Sequence, residues 1–162
     1  SFIYFIEAGT NEKMVNILLA EKNKKCVLAS SKGKGFITDI FSLISTQKKG
    51  KQVFNLKPND SLIKVLICDK SHLVIVNKSK KLLIFPVESL PFLQKGGGVQ
   101  LMRIKNEDSL SDIHLIDLSN GLTWQIGSKT RTLEEINFWI GKRAQSGKKI
   151  PKYFNKNLKF YE

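Results

Sequence analysis

Two short stretches of this chain gather residue types suited to holding phosphate: Gln47-Lys48-Lys49-Gly50-Lys51 and Gln94-Lys95-Gly96-Gly97-Gly98. Glycine lets a backbone approach an anion closely and turn its N–H groups outward. Lysine adds a mobile point charge, and glutamine a neutral donor. Lys32-Gly33-Lys34-Gly35 has the same make-up, and Lys142-Arg143-Ala144-Gln145-Ser146-Gly147-Lys148-Lys149 is a longer, looser version. Arg103, Lys129 and Arg131 extend the basic set. The candidate anion-contacting residues are therefore Lys32, Lys34, Gln47, Lys48, Lys49, Gly50, Lys51, Gln94, Lys95, Gly96, Gly97, Arg103, Lys129, Arg131, Lys142, Arg143, Lys148 and Lys149.

The charge balance agrees with that chemistry. The 162 residues carry 27 Lys+Arg against 14 Asp+Glu, a net charge of +13. Such an excess repels itself in a folded domain and attracts polyanions. AT-rich coding would raise Ile, Asn and Lys unaided, but it would raise Glu too, and acidic residues are scarce here. Arginine occurs only at 103, 131 and 143. Bidentate reading of guanine is mostly arginine's work, so a lysine-dominated set points to phosphate contact without sequence choice. Phe36, Phe54, Phe85 and Trp124 lie inside apolar runs rather than among the basic loops. That disfavours base stacking on a single strand.

Catalytic signals are weak. His72 and His114 have no nucleophile or acidic motif beside them. Gly127-Ser128-Lys129-Thr130 evokes the end of a phosphate-binding loop, but the second glycine of that motif must directly precede the lysine. No carboxylate cluster suits Mg²⁺. Cys26 and Cys68 each sit in an apolar run and read as buried hydrophobes, too few for a disulfide framework and without the histidines of a zinc site.

The elements that must position these loops are short strands. With 41% hydrophobic and 25% charged residues the chain has the balance of one folded domain. Apolar runs of four to seven residues are bounded by turn residues. Met14 to Ala20 and Cys26 to Ser30 flank Lys22-Asn23-Lys24-Lys25; Leu73 to Val76 and Leu82 to Phe85 flank Asn77-Lys78-Ser79-Lys80; Ile113 to Leu118 and Leu122 to Ile126 flank Asn120-Gly121. Each reads as an antiparallel hairpin, although Asn11 to Glu21 also allows a helix. Thr132-Leu133-Glu134-Glu135 has the form of a capping box, which predicts one or two helical turns before Trp139.

The hairpins recur with a period near 47 residues. In the stretches from Val27 and from Val74, a hairpin leads to Gln-Lys and glycine, then a strand, then Asp60-Ser61-Leu62 or Asp108-Ser109-Leu110. A third, weaker copy starts at Leu122. About four strands per unit predicts propeller-like blades. The expected organisation is one domain over 1–162, with repeats of roughly 1–48, 49–95 and 96–143 and a basic tail over 144–162. The N-terminal Ser1-Phe2-Ile3-Tyr4-Phe5-Ile6 reads as a strand entered midway, as expected for a piece of a longer protein.

The stretches VLASSKGKGF from Val27, KKGKQVFNLK from Lys48, FPVESLPFLQKGGGVQL from Phe85, GLTW from Gly121 and WIGKRAQSGKKIPKYF from Trp139 resemble a known family. It is that of the C-terminal domain of the DNA gyrase A subunit, and more closely of the paralogous A subunit of topoisomerase IV in its alphaproteobacterial style. The resemblance implies an all-β, propeller-like β-pinwheel of about three four-stranded blades forming an open or partial disc. It implies sequence-nonspecific binding and bending of duplex DNA, in support of decatenation or relaxation and of chromosome segregation. It implies two kinds of partner in a heterotetramer, the topoisomerase IV B subunit, which binds ATP, and a second A subunit. ATP and Mg²⁺ would be needed only by the holoenzyme. No cofactor is expected in this part, nor catalysis by it alone, nor a membrane partner, and the implied location is the nucleoid in the cytoplasm. The loops lack arginine and depart from the full gyrase box, which disfavours tight wrapping for supercoiling. The alternatives are a gyrase-type wrapping domain or a propeller that binds protein.

Overall fold

A computed structural model of the chain describes residues 2–3, 19–20, 23–47 and 50–161. The described residues are all-β, joined by turns and short 3₁₀ segments, with no α-helix. β1 (Phe2–Ile3) pairs antiparallel with β2 (Leu19–Ala20). Next come β3 (Lys25–Ser30), β4 (Lys34–Asp39), β5 (Leu62–Ile67), β6 (His72–Asn77), β7 (Lys81–Pro86) and β8 (Val99–Gln100). β9 (Leu110–Ile116), β10 (Leu122–Ile126), β11 (Lys129–Leu133) and β12 (Lys148–Lys149) complete the order.

Two sheets are full blades, with strand orders β5-β3-β4-β8 and β9-β6-β7-β12. In each, a hairpin is flanked on one side by the next long strand of the chain. On the other side lies a two-residue strand donated from further along the chain. Thus β8 pairs with β4 (Lys34↔Gln100, Gly35↔Val99), and β12 pairs with β7 (Lys81↔Lys149, Leu82↔Lys148). The third unit is the hairpin β10-β11. The Gln125 amide donates to the Phe160 carbonyl at 2.8 Å, so the tail runs beside β10 where β9 runs beside β6. The tail thereby covers the β10 edge; among the described residues β11 has no second strand partner.

The blades stack face to face, which explains why their strands are continuously apolar rather than alternating. Val27, Ala29, Leu73, Ile75, Leu83 and Phe85 fill the layer between the first two blades. Val74, Val76, Leu82, Ile84 and Trp124 fill the next layer with Phe154, Leu158 and Phe160 of the tail. Successive residues of β6 therefore face opposite cores, and all of Leu73 to Val76 are fully buried. Cys26 lies in a third layer with Leu28 and Phe36. Burial pushes its thiol up to about 12, with Cys68 and Asp39 adding to the shift. It is an inert core group, and both cysteines are free.

Several sequence expectations are corrected. β9 pairs with β6 rather than with β10, so Asn120-Gly121 links two blades and closes no hairpin. The hairpin turn is instead Gly127-Ser128, between paired Ile126 and Lys129, with Gly127 at φ +58°. Leu19 and Ala20 pair with β1, while both edges of β3 are taken by β4 and β5, so the first hairpin does not form as expected. The rest of that strand lies outside the described residues, as does the rest of the Asn11 to Glu21 stretch that also allows a helix, while Leu19 and Ala20 within it are strand. The capping box gives way to strand pairing. Thr132 belongs to β11, its Oγ1 is 2.8 Å from Thr123 Oγ1, and the only helical turn that follows among the described residues is a 3₁₀ turn over Asn137–Trp139.

Each donated strand begins at a glycine in the left-handed region: Gly98 at φ +72° and Gly147 at φ +75°. A Cβ on Gly98 would lie 2.6 Å from the Gly35 carbonyl oxygen, and one on Gly147 2.6 Å from that of Leu82. Gly50, the repeat counterpart, has φ +78° and nothing within 4 Å of such a Cβ among the described residues. Gly98→Ala and Gly147→Ala are therefore expected to cost at least about 2 kcal/mol each, from strain plus a backbone clash. Gly50→Ala should cost only the conformational strain of about 1 kcal/mol. Urea unfolding of the three variants checks the ranking.

Candidate nucleic-acid interface

Strand donation decides where the basic loops go. The Asn55 amide donates to the Gly96 carbonyl at 2.8 Å, and the Gly96 amide to the Val53 carbonyl at 3.0 Å. One repeat later, the Arg103 amide donates to Gln145 and the Ala144 amide to Leu101, at 3.0 and 2.9 Å. Arg143 Nη1 donates to the Gln100 carbonyl at 2.9 Å. Each loop is thereby fastened to the strand exit of the repeat before it. The loops at 94–98 and 142–147 thus take equivalent places, each against the segment that follows the previous loop.

Beside these loops lies a groove of about 590 Å³. Its cations are Lys32, Lys34, Lys57, Arg103 and Lys105, and Gly97, Gly98 and Asn106 complete the part nearest the loops. The one carboxylate in it, Asp60, is engaged by the protein. It accepts from Ser30 Oγ (2.7 Å), Ser31 Oγ (2.8 Å), the Lys32 amide (2.9 Å) and the Ser61 amide (2.8 Å). These bonds pin the β3–β4 turn, and Asp108 repeats part of the pattern with Ser79 Oγ and the Ser109 amide. Burial alone would raise the Asp60 carboxyl, but the bonds from Ser30, Lys32, Ser31 and Ser61 outweigh it and hold it below the usual range. A depressed folded value means that the stabilisation is present at neutral pH and lost as pH falls through that value. Asp60→Asn should therefore flatten the acid side of the stability profile below about pH 4, measured as Tm against pH.

The candidate residues fall into distinct places. Lys34 lies at the start of β4 and faces the groove with Arg103. Lys32 reaches across to the next repeat, where its ammonium donates to the Asn106 and Asp108 carbonyls, both at 3.1 Å. It works as a clasp between repeats. Gln47 is exposed, and its carbonyl accepts from the Gly50 amide at 2.9 Å. Lys51 and Gln94 share a smaller depression with Lys24, Asp39 and Phe41. Lys95 and Gly97 are exposed, and Gly96 is held in the loop bonding. Lys142 is exposed, its amide donating to Gln145 Oε1. Lys148 sits 5.1 Å over the Phe138 ring, with Lys149 beside it in β12. Lys129 and Arg131 lie on β11, where Arg131 stacks 4.5 Å over Tyr153. Lys48 and Lys49 lie outside the described residues.

Lys57 and Lys105 are members of the groove that sequence reading does not single out. A signal for them exists, because they hold the same place in NLKPNDSL and RIKNEDSL, three residues before the aspartate that pins the turn. Among the described residues no cluster of His, Cys, Asp and Glu could hold a metal ion. No helix of the described residues is long and apolar enough to cross a membrane.

Stacked four-stranded blades that exchange strands, with basic loops in equivalent places, are the mark of a propeller-type domain. The family model described as "DNA gyrase C-terminal domain, beta-propeller" matches residues 24–69 and 71–117, so the chain belongs to that family. Among named relatives, the A subunit of DNA topoisomerase 4 from Rickettsia prowazekii is 35% identical over 155 residues, covering 96% of this chain and 21% of that protein. Its counterpart in Caulobacter vibrioides is 31% identical over 156 residues, covering 96% and 20%. The chain thus spans about a fifth of the length of these relatives. Among solved structures, the E. coli ParC C-terminal domain superposes with a TM-score of 0.74 at 23% identity, over 87% of this chain and 61% of that one. A DNA gyrase A C-terminal domain gives 0.67 at 18%, over 91% and 52%. These superpositions establish the shared fold.

Proposed function

We propose that this domain binds duplex DNA through its phosphates, without sequence choice, and bends it along its basic loops. The observation that carries this reading is the backbone bonding that holds the basic loops at 94–98 and 142–147 each against the segment following the previous loop, beside the groove of Lys34, Lys57, Arg103 and Lys105. Lysine-dominated loops with few arginines suit phosphate neutralisation rather than base reading. Gln47, Gly50, Lys51, Gln94, Lys95, Gly96 and Gly97 extend the track, as do Lys142, Arg143, Lys148 and Lys149, and Lys48 and Lys49 join them by their place in the sequence. Lys129 and Arg131 offer flanking charge.

From the relatives' names we further propose that the whole protein is the A subunit of a type II topoisomerase acting in the cytoplasm on chromosomal DNA. Its partners would be the topoisomerase B subunit, together with a second copy of the A subunit. The ATP and Mg²⁺ chemistry would lie outside this domain, whose own role is capture of DNA.

The test is fluorescence anisotropy on duplexes of about 15 and about 45 base pairs at two salt concentrations. With about six phosphates engaged, log K should fall against log salt with a slope of roughly −5. The longer duplex should bind more tightly, whatever its sequence. Equal, weak and salt-insensitive binding to both would sink the proposal. Indifference to Lys48, Lys49, Lys51 and Lys95 all replaced by Glu would favour a protein-binding propeller instead.

A further inference from the structure

Phe36, Phe85 and Trp124 are buried in the core, as their apolar runs suggest, but three other rings are left outside it. Phe41, Phe92 and Phe138 are 44%, 46% and 59% exposed. Each lies in the segment that leads from one strand of a hairpin to a basic loop: from β4 to Gln47, from β7 to Gln94, and from β11 to Lys142. Phe41 belongs to the 3₁₀ turn over Ile40–Leu43 and Phe138 to that over Asn137–Trp139, while Phe92 follows the turn over Val87–Ser89. The core does not need the rings there. Each segment is already anchored by a buried aliphatic side chain, Ile40, Leu90 or Ile136.

Cations gather at all three rings. The Lys25 ammonium is 5.3 Å from the centre of the Phe92 ring, and that of Lys148 is 5.1 Å from the centre of the Phe138 ring. Phe41 lines the smaller depression with Lys24, Lys51 and Gln94. Asp39, the carboxylate of that depression, pairs across the strands with Lys25. An exposed phenyl with an ammonium beside it suits a ligand that has a flat apolar face and an anionic group close by. A nucleobase on its phosphate backbone has both. A protein partner would need the apolar surface in one patch. Here the rings belong to separate repeats, each beside its own lysines.

We propose that Phe41, Phe92 and Phe138 are platforms on which unstacked bases of bound DNA lie, so that the domain favours duplexes carrying unpaired bases over perfect ones. This rests on the DNA-binding proposal and adds base contact to it, still without sequence choice, because every base has a face to stack. A perfect duplex hides those faces. Opening one of its steps costs free energy that an unpaired base has already given up. Phosphate neutralisation then places the DNA, and the rings select where along it a base is free.

The test is anisotropy of the 162-residue protein on two duplexes of about 45 base pairs, one perfect and one with a bulge of unpaired thymines. The bulged duplex should bind about tenfold more tightly, the effect of one base on one ring. That ratio should hold as salt rises, because stacking releases no counterions. With Phe41→Ala, Phe92→Ala and Phe138→Ala combined it should fall to within about twofold, while affinity for the perfect duplex and its salt slope stay as in wild type. Phe41→Leu, Phe92→Leu and Phe138→Leu combined keep an apolar side chain on each segment and remove the flat face. This second variant should lose the ratio as well, and it decides the matter if the alanine variant melts early. Salt-dependent binding with equal affinity for both duplexes overturns this inference alone. A ratio that survives in the variants also overturns it, since the bulge would then act through its flexibility. Failure to bind either duplex overturns the DNA-binding proposal along with it.

Discussion

Replacing Lys34, Lys57, Arg103 and Lys105 together by glutamate is expected to lower duplex affinity at physiological salt by at least about a thousandfold and to flatten the salt dependence by roughly 3.5 units of slope. The four side chains line one groove beside the basic loops, and three of them are exposed. Each phosphate no longer engaged removes about 0.9 from the slope, and the new carboxylates repel the remainder. Lys32 is the informative contrast. Its ammonium is spent on the Asn106 and Asp108 carbonyls, so Lys32→Met should cost about 1–2 kcal/mol of stability and leave the salt slope unchanged. Anisotropy titrations across a salt series read both results. An affinity within about threefold of wild type in the fourfold variant would remove the groove from the binding track.

Asp112→Ala is expected to be the most damaging single substitution, at about 3 kcal/mol. Asp112 is 3% exposed and joins three parts of the molecule. Its Oδ1 lies 2.9 Å from Lys64 Nζ on β5 and accepts from the Ile113 amide at 2.9 Å. Its Oδ2 accepts from the Phe160 amide of the tail at 2.8 Å. Alanine would leave a partly buried ammonium and two amides without their acceptor, while the Ser111 hydroxyl still donates to Leu158 in the tail. Asp112→Asn, which keeps an acceptor oxygen, should lose less. Urea unfolding gives the magnitude, and amide exchange at Phe160 should quicken in both variants. An alanine variant within about 0.5 kcal/mol of wild type would mean that water replaces the carboxylate at little cost.

Much of the blade is legible in the chain. The runs from Leu73 and Leu82 read as a hairpin and form β6–β7. The recurrence of Gln47 at Gln94, and of Asp60 at Asp108, announces the repeat, and Asp60 and Asp108 pin equivalent turns. The mismatches share one cause. Asn120-Gly121 reads as a hairpin turn because its neighbours in sequence are strands, whereas β9 pairs back to β6. Thr132 reads as a helix cap because local pattern favours one, whereas pairing with Thr123 wins. Lys57 and Lys105 escape notice because neither sits in a glycine-rich loop.

Composition and periodicity alone determined that this chain is basic, all-β and built of repeats, because side-chain hydrophobicity and turn residues act over a few neighbours. Only the tertiary structure decided which strand each blade borrows, which lysines share a groove, and which are spent as clasps. Gln100 meets Lys34 and Lys148 meets Leu82 across long stretches of chain, through backbone hydrogen bonds that leave little trace in residue type. The β11 edge, which has no second strand partner among the described residues, is likewise a property of backbone groups. Every non-proline residue carries such groups alike, so only their placement in space distinguishes a filled edge from an open one.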